Sequence, residues 1–190
     1  MSKSIKILLA GEGGQGIQTI AKILIKAASA SGKKVVHLPN FGVEQRGGVS
    51  LAFVQISDTE ISFPKFREAD IALVVAKRAV ERVKIHIGKD TLMIFDNSII
   101  PEKELAGYKV EKVAIPASQM AKEKLIPRVF NTILLGVVAE EVGGIKDKHI
   151  KKALLDHFKD KIKKKPQLKH FNLHAYELGK KTMKQISEEK

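Results

Sequence analysis

The sequence contains neither cysteine nor tryptophan among its 190 residues. Without thiolates, this chain alone cannot form a disulfide, a thiolate metal site or an iron–sulfur cluster. Its longest apolar stretches have the length of a β-strand, so the sequence predicts no membrane span. Residues 1–10 are too short and too charged for the apolar part of a secretory signal. We therefore expect a cytoplasmic protein.

Acidic residues are scarce relative to basic ones, and the formal net charge is +13. Residues 146–190 hold 14 lysines against six acids, an excess of eight that sets this part apart. Aromatic residues make up only 5% of the chain, and no nucleic-acid motif accompanies the lysines. We expect solvated helix faces and no nucleic-acid partner. Abundant lysine without cysteine also suits the surface of a thermophile's protein.

The pattern of apolar residues alternates between strands and helices and predicts one α/β domain over 1–190. Predicted strands cover 4–10, 34–38, 49–57, 61–63, 70–75, 91–96 and 108–115, and predicted helices include 78–87, 117–124, 128–142, 147–158 and 172–186. This order predicts a three-layer α/β/α fold with a mixed, mainly parallel sheet and a Rossmann-like start. The part from about 146 to 190 is expected to be helical and lysine-rich, with a Lys/Pro-rich connection at 159–165.

A glycine turn joins the first predicted strand to the first predicted helix. Gly11, Gly13 and Gly16 fit G-x-G-x-x-G, a pattern that places free backbone N–H groups where an anion can bind. A dinucleotide site also expects a carboxylate at the end of the second strand, but that region reads Val36-His37-Leu38. Glu12 adds a negative charge inside the turn. Dinucleotide binding and a purely structural turn both remain open from the residues alone.

A ten-residue loop, 39–48, follows the second predicted strand and should lie on the same edge of the sheet as the glycine turn. Polar side chains that can meet at this edge are Gln15, Glu44, Gln45, Arg46, Ser50 and Asn131. Among them Arg46 adds clear anion-binding capacity, although a surface salt bridge is its ordinary alternative role.

No catalytic constellation is evident in the sequence. The six histidines show no H-E-x-x-H motif, and we expect no H-x-x-x-H spacing and no histidine-rich metal site. Asp96 ends a predicted strand, where it can act as a base or cap the following turn.

Several segments together resemble the γ subunit of the 2-oxoacid:ferredoxin oxidoreductases. The resemblance rests on Gly-Glu-Gly-Gly-Gln-Gly at 11–16, Phe-Gly-Val-Glu-Gln-Arg-Gly-Gly-Val-Ser at 41–50, and Ile-Ser-Phe-Pro at 61–64 leading into Ala-Asp-Ile at 69–71. It also rests on Asn131 with Leu135-Gly136, and on Asn-Leu-His-Ala-Tyr-Glu-Leu-Gly at 172–179. Together these motifs cover the chain from about Ile5 to Gly179.

The resemblance implies a supporting subunit rather than a complete enzyme. In the family, 2-oxoacids are oxidatively decarboxylated on thiamine diphosphate, the acyl group passes to coenzyme A, and electrons leave through iron–sulfur clusters to ferredoxin. Thiamine diphosphate, Mg²⁺ and the clusters are expected in other subunits, so we expect no cofactor on this chain alone. The implied partners are α and β subunits, which bind thiamine diphosphate, and a ferredoxin-like δ subunit. The isolated chain is expected to be inactive and to be able to form a homodimer.

The residues expected to contact coenzyme A or a partner subunit all lie in the two loops or beside them. They are Gly11, Gly13, Gly14, Gln15, Gly16, Arg46, Gly47, Gly48, Ser50 and Asn131. The form of the second loop is closest to the 2-oxoglutarate branch of the family, with pyruvate as the other substrate considered. Two alternatives are a γ-like subunit of an indolepyruvate oxidoreductase and a free-standing nucleotide-binding protein.

Overall fold

The computed structural model of this chain describes residues 4–41 and 48–189. In this part, six strands form one sheet: β1 (Ile5–Glu12), β2 (Lys34–Phe41), β3 (Val49–Ser57), β4 (Ala69–Val74), β5 (Ile87–Phe95) and β6 (Lys112–Ala114). The helices are α1 (Ile17–Ala30), α2 (Lys77–Val83), α3 (Ala117–Lys124), α4 (Phe130–Val142), α5 (Asp147–His157), α6 (Lys159–Lys164) and α7 (Gln167–Glu188). Short 3-10 turns occupy Lys84–His86, Glu102–Leu105 and Pro127–Val129.

The strand order β2-β3-β1-β4-β5-β6 places β3 between the first two strands of the chain. β3 runs antiparallel to both neighbours, whereas β1, β4, β5 and β6 are mutually parallel. β2 therefore has the same direction as β1, and five of the six strands end at one edge of the sheet. This edge carries the glycine turn and is called the rim below.

The sheet buries apolar side chains on both faces, because alternate residues of a strand point to opposite sides. Ile7 and Leu9 of β1 face the core formed with α1, α3, α4, α5 and α7. Leu8 and Ala10 face a smaller core that contains Ala79 of α2 and Leu105. These three layers and the mixed sheet confirm the predicted fold class, which the structural comparisons below also support.

Two predicted local structures are wrong, and the predicted strand 108–115 is shorter, since β6 covers only Lys112–Ala114. Residues 61–63 are not a strand. Gln55 Nε2 donates to the carbonyl oxygen of Phe63 at 2.6 Å, so a side chain satisfies this backbone, and Pro64 lacks the N–H that a ladder needs. The predicted connection over 159–165 contains helix α6, since lysine is a good helix former.

The helices α4 and α7 approach each other closely through two glycines. A Cβ on Gly136 would overlap the carbonyl oxygen of Tyr176, and a Cβ on Gly179 would overlap that of Ile133. Thr132 Oγ1 donates to Asn172 Oδ1 at 3.0 Å across the same contact. The motif residues at 131–136 and 172–179 therefore include those that join these two helices.

Candidate functional site

The glycine turn is held in shape by the side chain of Gln15. Its Oε1 accepts the Glu12 backbone N–H at 2.7 Å, and its Nε2 donates to the Val75 carbonyl oxygen at 3.2 Å, just beyond β4. Gly14 and Gly16 have φ of +98° and +82°, values that side-chain-bearing residues rarely adopt. Gln15 thus fixes the turn to the neighbouring strand, and its amide is used within the protein.

Asn131, at the start of α4, packs against the end of this turn. A Cβ on Gly16 would collide with the Asn131 side-chain amide, so glycine is required there for close packing as well as for its φ. Asn131 Oδ1 is buried and, among the described residues, finds no hydrogen-bond partner. A buried oxygen without a donor costs free energy, and it marks a place where a ligand or partner can supply one.

Ser50 belongs to a network that ties the first turn of α1 to β2 and β3. Gln18 Nε2 donates to Ser50 Oγ at 3.0 Å and to the Leu51 carbonyl oxygen at 2.9 Å. Gln18 Oε1 lies 3.1 Å from His37 Nε2, which donates if it carries the proton. Burial, with a contribution from the Lys22 charge, lowers the pKa of His37. His37 is therefore suited to be a neutral structural group.

The two loops do meet at the rim. The Gly13 N–H donates to the Gly48 carbonyl oxygen at 3.0 Å, and Glu12 pairs with Val49 at the end of the β1–β3 ladder. The base of the second loop therefore contacts the glycine turn directly. Glu44, Gln45, Arg46 and Gly47 lie outside the described residues.

Asp96, just after β5, is completely buried, and both of its carboxylate oxygens accept hydrogen bonds. Its Oδ1 accepts the Ser98 N–H at 3.0 Å, and its Oδ2 accepts the Ser118 N–H at 2.9 Å and hydroxyl at 2.6 Å. Of the two roles considered, this arrangement supports the cap, because Asp96 joins the β5 end to the start of α3.

One expectation about histidine spacing is wrong. His170 and His174 do form an H-x-x-x-H pair, one turn apart on α7, with ring centroids 5.9 Å apart. Within residues 4–41 and 48–189, no cluster of three or more His, Asp or Glu side chains is placed to hold a metal ion.

In the same part of the chain, no helix is long and apolar enough to cross a membrane.

The structure brings most of the predicted site residues together. The glycine turn is formed by Gly11, Gly13, Gly14, Gln15 and Gly16, and Gly48 of the second loop contacts it. Asn131 and Ser50 lie beside them. Sequence reasoning missed Gln18, which links the two sides of the rim. A signal was present, since Gln18 is a polar residue in the first turn of an otherwise largely apolar helix.

Comparison with known proteins gives these features a family context. The sequence model of the family described as pyruvate ferredoxin/flavodoxin oxidoreductase matches residues 6–182. The chain is 30% identical over 183 residues to the 2-oxoglutarate synthase subunit KorC of Methanocaldococcus jannaschii, with 95% of each chain covered. It is 36% identical over 164 residues to the pyruvate synthase subunit PorC of that organism, with 85% of this chain and 90% of the relative covered.

Solved structures show the same fold. One is the 2-oxoglutarate:ferredoxin oxidoreductase from Magnetococcus marinus with 2-oxoglutarate, coenzyme A and succinyl-CoA bound, with a TM-score of 0.84 and 29% identity. The match covers 97% of this chain but 32% of that one, so this chain spans about a third of its length. The keto/oxoacid ferredoxin oxidoreductase γ subunit from Geobacter sulfurreducens matches with a TM-score of 0.78 and 23% identity, over 94% of this chain and 98% of that one.

The fold and the family match define an α/β component of an oxidoreductase complex. More particularly, the chain belongs to the γ subunits of the 2-oxoacid:ferredoxin oxidoreductases, which confirms the resemblance. The expected thermophile-like composition also fits its hyperthermophile relatives.

Proposed function

We propose that this chain supports a multisubunit enzyme that oxidatively decarboxylates a 2-oxoacid, forms an acyl-CoA and passes electrons to ferredoxin. In this proposal the rim faces coenzyme A and the thiamine-diphosphate subunits. A ferredoxin-like δ subunit completes the complex, which works in the cytoplasm. Because this chain has no cysteine, the thiolates for iron–sulfur clusters must come from partner subunits.

The observation that carries the proposal is the hydrogen bond from the Gly13 N–H to the Gly48 carbonyl oxygen. It ties the loop that contains Arg46 to a glycine turn at the start of α1, where helix N–H groups favour a phosphate. Within the part of the chain that the structure describes, no side chain caps this helix start. The buried, unpartnered Asn131 Oδ1 beside Gly16 gives the same edge an acceptor for an N–H or O–H group.

The substrate we propose is 2-oxoglutarate in preference to pyruvate. The form of the second loop favours this branch, and relatives from both branches match the chain. The indolepyruvate alternative and the free-standing nucleotide-binding alternative are not favoured by those relatives.

Coenzyme A affinity of the assembled complex tests the role of the rim. Isothermal titration with Arg46→Ala should show binding weaker by about tenfold or more, because one charge-assisted contact to a phosphate is lost. Arg67→Ala is the matched control, since Arg67 is exposed just before β4, at the opposite edge of the sheet. Unchanged affinity in Arg46→Ala would exclude the rim as a coenzyme A contact.

A further inference from the structure

Five lysines from three helices surround the exposed junction of α1, α5 and α6. They are Lys22 and Lys26 of α1, Lys152 of α5, and Lys159 and Lys161 of α6, and all five are exposed. We call this set the basic patch. The lysine excess expected in residues 146–190 thus meets lysines that lie far away in the sequence.

The charges of the basic patch act on shared neighbours. Lys26 Nζ lies 2.9 Å from Asp156 Oδ2, and this hydrogen bond, with the charges of Lys26, Lys152 and Lys159, lowers the pKa of Asp156. The pKa of His157 is lowered first by burial and then by Lys22, Lys161 and Lys26. All five cations are therefore close enough to act together.

Folding alone does not account for this concentration of charge. Lys22 and Lys26 are four residues apart on one helix, a spacing at which like charges disfavour the helix. The two lysines of α6 add cations at the same junction, whereas Asp156 offsets only one charge. Such a mainly basic surface is costly for the folded chain, and it attracts an oppositely charged partner.

We propose that the basic patch is a docking surface for a carboxylate-rich face of a partner subunit, an inference that rests on the proposed function. Charge complementarity selects such a partner and speeds its encounter. Lysine ammonium groups are point charges on flexible stems, which suits carboxylates spread over a protein surface.

The basic patch is also continuous with the rim. Lys22 acts on His37, whose ring contacts Gln18, and Gln18 bonds Ser50 at the base of the second loop. A subunit that covers the rim can therefore extend along α1 and reach the basic patch. A single partner would then be held by the rim and oriented by the lysines.

A nucleic acid is the other polyanion that the basic patch must be tested against. The patch contains no arginine for bidentate phosphate or base contacts, and Lys161 Nζ lies over the neighbouring Phe158 ring, 5.4 Å from its centroid. A stacking platform for bases is therefore not formed by that ring. These features favour a protein partner.

The test uses the complex assembled from co-expressed subunits, with the triple variant Lys22→Glu, Lys152→Glu and Lys159→Glu. These changes leave the Lys26–Asp156 ion pair intact. The control triple variant is Lys89→Glu, Lys103→Glu and Lys109→Glu. These three lysines are exposed and lie on β5 or in the segment from Glu102 to Lys109, away from the α1–α5–α6 junction. Sedimentation measures the dissociation constant of this chain from the remaining subunits at several salt concentrations, and thermal unfolding checks that every variant is folded.

We expect the patch variant to dissociate about tenfold more readily at low salt, with a smaller salt dependence, while the control behaves as wild type. Equal dissociation constants for wild type and the patch variant would overturn the docking surface alone. Tight binding of single-stranded DNA or RNA by wild type that the patch variant loses would overturn it in favour of a nucleic acid. If wild type fails to join the thiamine-binding subunits at every salt concentration, the proposed function itself fails, and the docking surface falls with it.

Discussion

Asn131 and Asn172 lie on the neighbouring helices α4 and α7 but differ in how their side-chain amides are satisfied. Asn172 is 5% exposed, accepts from Thr132 Oγ1 at 3.0 Å and donates to the Leu168 carbonyl oxygen at 2.7 Å. Asn131 Oδ1 is buried without a partner in the described part of the chain. An amide that is fully bonded stabilises the fold, whereas an unbonded oxygen costs free energy until something binds it.

This contrast predicts that two asparagine-to-leucine substitutions affect different properties, one the stability of the chain and the other its binding. Asn172→Leu should lower the free energy of unfolding of the isolated chain by about 1–3 kcal/mol, because it leaves the Thr132 hydroxyl unpaired. Asn131→Leu should leave it within about 1 kcal/mol of wild type, yet weaken binding of coenzyme A or of the partner subunits. Urea unfolding and titration of the complex measure the two quantities. Equal destabilisation by both variants would mean that Asn131 is structural.

At the scale of elements, α4 and α7 depend on the two glycines where they cross. The close approach places backbone against backbone, so neither helix can yield by turning a flexible side chain away. Helix α4 also carries Asn131, which packs against Gly16.

Gly179→Ala should therefore destabilise the chain by about 1–3 kcal/mol or more, since its Cβ would overlap the Ile133 carbonyl oxygen. Gly107→Ala is the control, because a Cβ there meets nothing within 4 Å. Urea unfolding compares both with wild type. A Gly179→Ala chain as stable as the control would show that the helices separate without cost.

A second link between elements joins α5 to α7 through Asp147. Tyr176 Oη donates to Asp147 Oδ1 at 2.7 Å, Lys180 Nζ lies 3.0 Å from that oxygen, and Lys151 Nζ lies 2.8 Å from Oδ2. Burial would raise the pKa of this carboxyl, but the hydrogen bonds from Lys151, Tyr176 and Lys180 outweigh it and lower the pKa from 3.8 to about 2.

The pKa of Asp147 is lower in the folded chain than in the unfolded chain, where it is 3.8. Ionised Asp147 therefore stabilises the fold at pH values above 3.8. The contribution should be complete near neutral pH and should fade as the pH falls from 3.8 towards 2. Asp147 is partly exposed, so solvent screening limits the contribution to about 1 kcal/mol. Urea unfolding of wild type and Asp147→Asn should differ at pH 7 and converge near pH 2, with Asp160→Asn as an exposed control. A difference that persists at low pH would contradict this origin.

At the scale of the whole molecule, the chain is a γ-type subunit that spans about a third of the Magnetococcus chain with the same fold. The rim and the basic patch are the surfaces that we propose for contact with partners, and Asp96, buried at the end of β5, is bonded to serines. The molecule is built as a component, and its activity is expected only with partners.

The purified chain alone should therefore show no 2-oxoacid-dependent reduction of an electron acceptor in the presence of coenzyme A. Addition of the thiamine-binding and cluster-containing subunits should restore activity. The lone chain should also lack saturable NAD(P) binding, because β2 itself, Lys34–Phe41, contains no carboxylate to hold a ribose. Fluorescence titration with NADPH checks the second expectation, and saturable binding would favour the nucleotide-binding alternative.

Much of the fold could be predicted from the sequence because the signals were local. Helix α3 is predicted at its observed bounds, and α4 and α5 within two residues. The signals are local: α5 has apolar residues at helical spacing, whereas α4 is a continuous apolar run that is buried on all sides. The start of α7 and the helix at 159–164 were missed. A lysine-rich run has no apolar period to indicate a helix, although lysine itself is a good helix former.

By itself, the sequence determined the strand–turn–helix start, the three-layer class and the family, because glycine spacing and apolar periodicity are local properties of the chain. Only the tertiary structure decided that β3 inserts between β1 and β2, which brings Gly48 to Gly13. It also decided that Asn131 packs against Gly16, and that Lys26 shares a surface with residues far along the chain, as its ion pair with Asp156, 130 residues later, illustrates. The physical reason is that these contacts depend on sheet order and helix packing, which distant residues set together.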